Sequence, residues 1–130
     1  MDQGKKILIV EDDQFLREFY QELLQTEGFL VDVAAEGEDG LLKLTQGGYD
    51  LVLLDIMLPK KDGLQILRDS KVSPPKSKNG PIVVLTNLGQ DAIIKEAFSL
   101  GATGYMIKSA LNPDQVLTEI HNYLKSAGAS

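Results

Sequence analysis

Polar side chains able to do chemistry stand where short apolar runs end. Glu11, Asp12 and Asp13 follow ILIV (7–10), Asp55 follows LVLL (51–54), Thr86 follows IVVL (82–85), and Lys108 follows YMI (105–107). A carboxylate buried without compensation costs several kcal/mol or more, so Asp55 either sits at the mouth of its strand in water or has a partner. Three carboxylates converge if the first and third runs are neighbours, and like charges that close do not all stay ionised without a cation. Oxygen ligands without His or Cys favour a hard ion, and Mg2+ takes one or two carboxylates together with waters and phosphate oxygens. Mg2+ is therefore the expected partner of Asp55. Lys108 and Thr86 would face the same point with a cation and a hydroxyl suited to a phosphoryl group. The chemistry implied is phosphoryl transfer, with a carboxylate as the candidate nucleophile. Singly, each residue has a plainer role: Asp12 or Asp13 as a helix N-cap, Thr86 as a hydroxyl on backbone, Lys108 as a solvated side chain. The functional reading rests on all four strand ends carrying suitable groups at once.

The elements that must position these groups alternate along the chain. Short apolar runs at 6–10, 30–35, 50–54, 82–85 and 104–107 predict strands. Between them, residues 14–27 place Phe15, Leu16, Phe19, Tyr20, Leu23 and Leu24 on one helical stripe closed by Gly28. Helices are also predicted at 38–46, 63–71 and 90–100, and from Asn112-Pro113 to about Lys125, where Asn112 reads as an N-cap. Five strand-helix alternations argue an α/β fold, a doubly wound five-stranded parallel sheet of flavodoxin-like type. In such a sheet the ligand crevice lies outside the carboxyl ends of the strands, where all the groups above stand. SPPKSKNGP (73–81) is a loop by composition, and its lysines read as a solvated face.

A chain of 130 residues with 43% hydrophobic and 25% charged residues suits one domain. The expected unit is residues 1–126, with 127–130 a tail or the start of a linker. No apolar run is long enough to span a bilayer, and MDQGKK leads straight into a strand rather than a signal peptide. Six excess negative charges argue against nucleic acid or an anionic membrane as partner of this domain. The absence of cysteine fits a reducing cytoplasm.

The pieces IVEDD, LLDIMLPKKDG, VVLTN and GYMIKS, at their spacing, make the chain resemble the receiver domain of bacterial two-component response regulators over essentially its whole length. The resemblance implies strand order 2-1-3-4-5 and a phosphorylation-dependent switch rather than an enzyme. Asp55 would accept a phosphoryl group from a sensor histidine kinase or a histidine phosphotransfer protein. Asp12 would ligate Mg2+ directly, Glu11 would act on it through water, and Met57 would offer its backbone carbonyl. Thr86 would bond a phosphoryl oxygen, Lys108 would pair with the phosphoryl group or the acceptor, and Tyr105 would be the switch aromatic. Output would run through the face of the fourth helix, fifth strand and fifth helix, to an unknown partner, from a monomer or a phosphorylation-dependent dimer.

Two positions depart from the family pattern. Ser109 stands where a proline usually follows the lysine through a cis bond, so a trans bond is expected there. Asn87 stands where a small residue usually follows the threonine. Met57 and Leu88 are bulky and apolar, so neither orients a water toward an acyl phosphate, and a long-lived phosphorylated state is expected. Kinase docking is expected near Phe15 and Leu16, and His121 is read as a surface or half-buried residue without catalytic work. Three other readings compete with this one. A flavin mononucleotide binder would need Ser, Thr and Gly where EDDQ stands, an aspartate-based phosphatase would need an acid at Met57, and a receiver-like module that is never phosphorylated would lack something required.

Overall fold

The computed structural model describes residues 4–58, 62–72, 75–87, 90–108 and 112–128. The strands are β1 (Lys6–Val10), β2 (Leu30–Ala34), β3 (Leu51–Asp55), β4 (Ile82–Thr86) and β5 (Gly104–Ile107). Between and after them run α1 (Gln14–Thr26), α2 (Gly37–Gln46), α3 (Gly63–Val72), α4 (Asp91–Ser99) and α5 (Pro113–Gly128). All strand pairs are parallel, in the order β2-β1-β3-β4-β5, as the resemblance implied. α5 runs three residues past the expected Lys125, and Asn112 caps it by accepting the Gln115 N–H at 3.2 Å.

Alternation along the strands divides the core in two. Leu8, Val10, Val52, Leu54 and Val84 pack against Leu44 of α2, Ile66 and Leu67 of α3 and Ala97 of α4. Ile7, Ile9, Leu51, Leu53, Val83, Leu85 and Met106 pack against Tyr20 and Leu24 of α1 and Val116, Ile120 and Leu124 of α5. Runs apolar at every position are what a sheet covered on both faces requires, because each face buries every second residue. α1 ends where Gly28 turns into the left-handed region at φ 96°, as its sequence position predicted.

The segment 75–81 has more to do than face solvent. Four carbonyls at the end of α2 have no partner within the helix, and an unmet carbonyl there would cost free energy. Lys43 O receives the N–H of Gly47, Leu44 O the side-chain amide of Asn79, Thr45 O the N–H of Lys76, and Gln46 O the N–H of Ser77. Asn79 also accepts the Tyr49 N–H at 3.1 Å, and so ties α2 to the entry of β3. Replacing Asn79 by alanine would leave Leu44 O and the Tyr49 N–H unmet, and should lower the unfolding free energy by about 2 kcal/mol. A urea midpoint unchanged from that of the unaltered chain would show that water replaces both bonds. Ser73 and Pro74, the first residues of the predicted loop, lie outside the described residues.

Candidate functional site

Strand register brings the predicted groups to one end of the sheet. Val10 is level with Leu54, so the next residues, Glu11 and Asp55, stand side by side. Asp55 is level with Leu85, Thr86 is one step further on and level with Ile107, and Lys108 is one step beyond that. Glu11, Asp55 and Lys108 continue the alternation of Ile9, Leu53 and Met106, so all three belong to the face that α1 and α5 cover. Thr86 continues the alternation of Val84 and belongs to the other face.

Lys108 Nζ donates to Asp55 Oδ2 at 2.8 Å and to Glu11 Oε2 at 3.3 Å, and lies 3.1 Å from Glu11 Oε1. Asp55 Oδ1 accepts the Met57 N–H at 3.0 Å, and Glu11 Oε2 accepts the Asp13 N–H at 3.1 Å. Asp13 caps α1 by accepting the Leu16 N–H at 3.0 Å, so of the two acids weighed for that task it is Asp13, and Asp12 stays exposed. Arg17 braces the turn between β1 and α1 by donating to the carbonyls of Glu11 and Asp12. Close approach of α3 completes the floor. A Cβ on Gly63 would lie 2.6 Å from Asp55 O, so no larger residue fits without moving that strand end.

Asp55 does not stand in water at the mouth of its strand. Asp55 is 0% exposed, as is Glu11. Of the two possibilities weighed for that acid, a partner is the one realised, and it arrives 53 residues later in the chain. Burial, then the neighbouring Asp55 carboxylate, pushes the Glu11 carboxyl up to about 8, and Lys108 pulls in the opposite direction. Burial alone would lower Lys108, but its contacts with Asp55 and Glu11 outweigh that and hold its ammonium above the usual range. Burial would likewise raise Asp12, yet hydrogen bonding to the Asp55 and Glu11 carboxyls and the charge of Lys108 hold it lower than usual.

Carboxylate oxygens of Glu11, Asp12 and Asp55 all lie within 4.8 Å of one another. Glu11 Oε1 is buried and meets positive charge through its ion pair with Lys108 Nζ at 3.1 Å, without a well-directed hydrogen bond, so a cation in this cluster would add to what Lys108 supplies. Three oxygen donors fit a hard divalent ion and not a soft one.

Thr86 does not join this network. It is buried, and its hydroxyl lies 2.7 Å from Gln90 Oε1 and 3.2 Å from Asn87 O. Tyr105 is 44% exposed and meets Phe98 edge to face, ring centres 6.5 Å apart. Phe15 is 69% exposed, whereas Leu16 packs against the core, so a docking surface on α1 would present Phe15. Met57 is 52% exposed beside Asp55. His121 lies 3.9 Å from Glu27 and 5.8 Å from the Phe29 ring, far along α5 from the strand ends. Leu88 and Ser109, on which two expectations rest, lie outside the described residues. Sequence reasoning missed Gln90 and Arg17. Arg17 falls four residues after the cap of α1 and could have been read as bracing that turn, while nothing in the type of Gln90 singles it out.

A family model for the response regulator receiver domain matches residues 7–121. The transcriptional regulatory protein DltR of Streptococcus agalactiae is 39% identical over 115 residues, which cover 88% of this chain and 50% of that protein. The chemotaxis protein CheY of Treponema pallidum is 35% identical over 123 residues, covering 92% of this chain and 83% of that one. The crystal structure of a CheY-like response regulator receiver domain protein from Methanospirillum hungatei superposes with a TM-score of 0.84 at 28% identity, over 98% of each chain. The chain spans about half the length of the first curated relatives it matches. With five parallel strands in the order found here and an acidic cluster at their carboxyl ends, this chain belongs to the response regulator receiver domain family.

Proposed function

We propose that the chain is a signalling switch that accepts a phosphoryl group on Asp55 from the histidine of a sensor kinase or a phosphotransfer protein, in the cytoplasm and with Mg2+. The observation that carries this reading is Lys108, bound to Asp55 Oδ2 at 2.8 Å inside a cluster of three carboxylates. A lysine between two acids alone would be a buried ion pair. Three acids whose oxygens lie within 4.8 Å of one another ask for more positive charge than one lysine supplies.

Glu11 and Asp12 would hold Mg2+ with Asp55 and the backbone carbonyl of Met57, and the ion, when bound, supplies charge to offset that of the phosphoryl oxygens. Asp55 provides the nucleophile: its carboxylate oxygen forms a bond to phosphorus while the bond from phosphorus to the donor nitrogen breaks, and the electron pair leaves with the imidazole. Lys108 steadies the acceptor before transfer and pairs with the transferred oxygens after it. Catalysis is then a matter of placement and charge more than of proton transfer. Phosphorylation adds about −1.5 to −2 charge at this end of the sheet, and Thr86 turns to meet the new oxygens. Tyr105 follows it, altering contacts on the face of α4, β5 and α5. Residues 1–126 form the switch, with the last residues a tail or linker, and Phe15 is offered to the kinase.

The test is incubation with a small phosphodonor and Mg2+, read by intact mass. A gain of one phosphoryl group that a chelator prevents supports the reading; no gain with saturating donor overturns it.

Met57 gives a finer expectation. Its exposed apolar side chain stands beside the acceptor and offers no hydrogen bond to a hydrolytic water. Met57→Asn should shorten the life of the phosphorylated chain by about tenfold, the effect of about 1.4 kcal/mol from one hydrogen bond to that water. Equal decay in the two proteins would mean that Met57 does not control access of water.

A further inference from the structure

Thr86 and Asp55 end neighbouring strands on opposite faces of the sheet, and in the chain as it stands the hydroxyl of Thr86 is already committed. A hydroxyl has one proton to donate. Gln90 Oε1 at 2.7 Å takes it in preference to Asn87 O at 3.2 Å. The same Oε1 also accepts the Asn87 N–H at 3.3 Å, so one carboxamide oxygen fastens both the side chain of Thr86 and the backbone that follows it.

Gln90 is also the N-cap residue of α4. Its carbonyl accepts the Ile94 N–H at 3.0 Å, yet its side chain makes no capping bond to the helix. Glutamine is not among the preferred N-caps, and here its longer side chain reaches back four residues rather than forward.

We propose that Gln90 is a positioning residue that restrains Thr86: its carboxamide holds the hydroxyl in the unmodified chain and must release it before that hydroxyl can donate to a phosphoryl group on Asp55. The proposal rests on the function given above. Thr86 cannot serve Gln90 and a phosphoryl oxygen with one proton, so the two bonds compete. Release also frees the carboxamide at the start of α4, where four N–H groups lack helical partners. One side chain thereby links the state of Thr86 to the first turn of α4, by a route that does not pass through Tyr105.

The experiment titrates the full chain with beryllium fluoride and Mg2+, a stand-in for the phosphoryl group, by calorimetry. Losing one hydrogen bond that opposes binding should tighten the apparent affinity of Gln90→Ala and of Gln90→Leu about three- to tenfold. Gln90→Glu keeps an acceptor oxygen and should not tighten. In a Thr86→Val background, where there is no hydroxyl to hold, Gln90→Ala should have no further effect, an outcome that a mere change in the stability of α4 would not produce. Affinity unchanged or weakened in both Gln90→Ala and Gln90→Leu, or tightening that persists without the Thr86 hydroxyl, overturns the restraint alone. No binding by the unaltered chain overturns the switch function and the restraint with it.

Discussion

Asp55→Asn should gain no phosphoryl group under conditions in which the unaltered chain gains one, as read by intact mass. Asparagine keeps the size of the side chain and an oxygen for the Met57 N–H, but its amide oxygen carries no full negative charge and is a poor nucleophile. It also no longer opposes the charge of Lys108, which would be left with Glu11 as its nearest acid. The fold should survive, because the asparagine oxygen can still accept from Lys108 and Glu11 remains beside it, so the buried ammonium keeps an acid partner. A phosphoryl gain of full extent in Asp55→Asn would move the acceptor to Glu11 or Asp12 and sink the assignment. A folded variant with no gain is the expected result.

Stability of the metal-free chain should fall as pH rises from about 5 to about 8, and most of that slope should vanish in Glu11→Gln. Glu11 ionises near 4.5 in an unfolded chain and near 8 in the folded one. Across that interval the folded state holds a proton that the unfolded state has lost, so the contribution is complete below 4.5 and disappears as pH passes through about 8. The size is on the order of a few kcal/mol, which for a domain of this length moves the thermal midpoint by roughly ten degrees. Asp12, held low, and Lys108, held high, keep their charges throughout this window and contribute no slope. Glutamine at 11 stays neutral, so it takes up no proton on folding. Adding Mg2+ at pH 8 should restore midpoint to the unaltered chain and do much less for the variant. Equal slopes in the two proteins would mean that Glu11 ionises normally and that its burial is relieved in solution.

Much of this architecture could be read from residue order because the signals are local. Apolar runs of four or five residues bounded by helical stripes gave five strands and five helices, and Gly28 and Asn112 marked their ends where expected. Glu11, Asp55 and Lys108 were legible for a related reason: each immediately follows an apolar strand run, and parallel pairing must bring such positions together. What escaped depends on partners distant in sequence. Burial of Asp55 is tolerable only with Lys108 in place, and no window around LVLLD contains it. Asn79 looks like a turn residue until the end of α2 is set beside it. Gln90 differs again: it is near Thr86 in sequence, but whether its side chain would reach forward to the helix or back to the strand is decided by where Thr86 points.

Side-chain alternation in the strands also makes the sheet a partition. Glu11, Asp55 and Lys108 belong to the compartment that α1 and α5 close, while Thr86 belongs to the one closed by α2, α3 and α4. Phe98 of α4 and the ring of Tyr105 meet on that second side. A charge arriving at Asp55 is therefore walled off from them by strands whose backbone bonds cannot part without unfolding. Thr86 stands at the last rung of β4, where that wall ends, and it can lean around the rim. News of phosphorylation would travel over the edge of the sheet instead of through it, and the rim of β4 is the narrow crossing where a single residue can delay or hasten it.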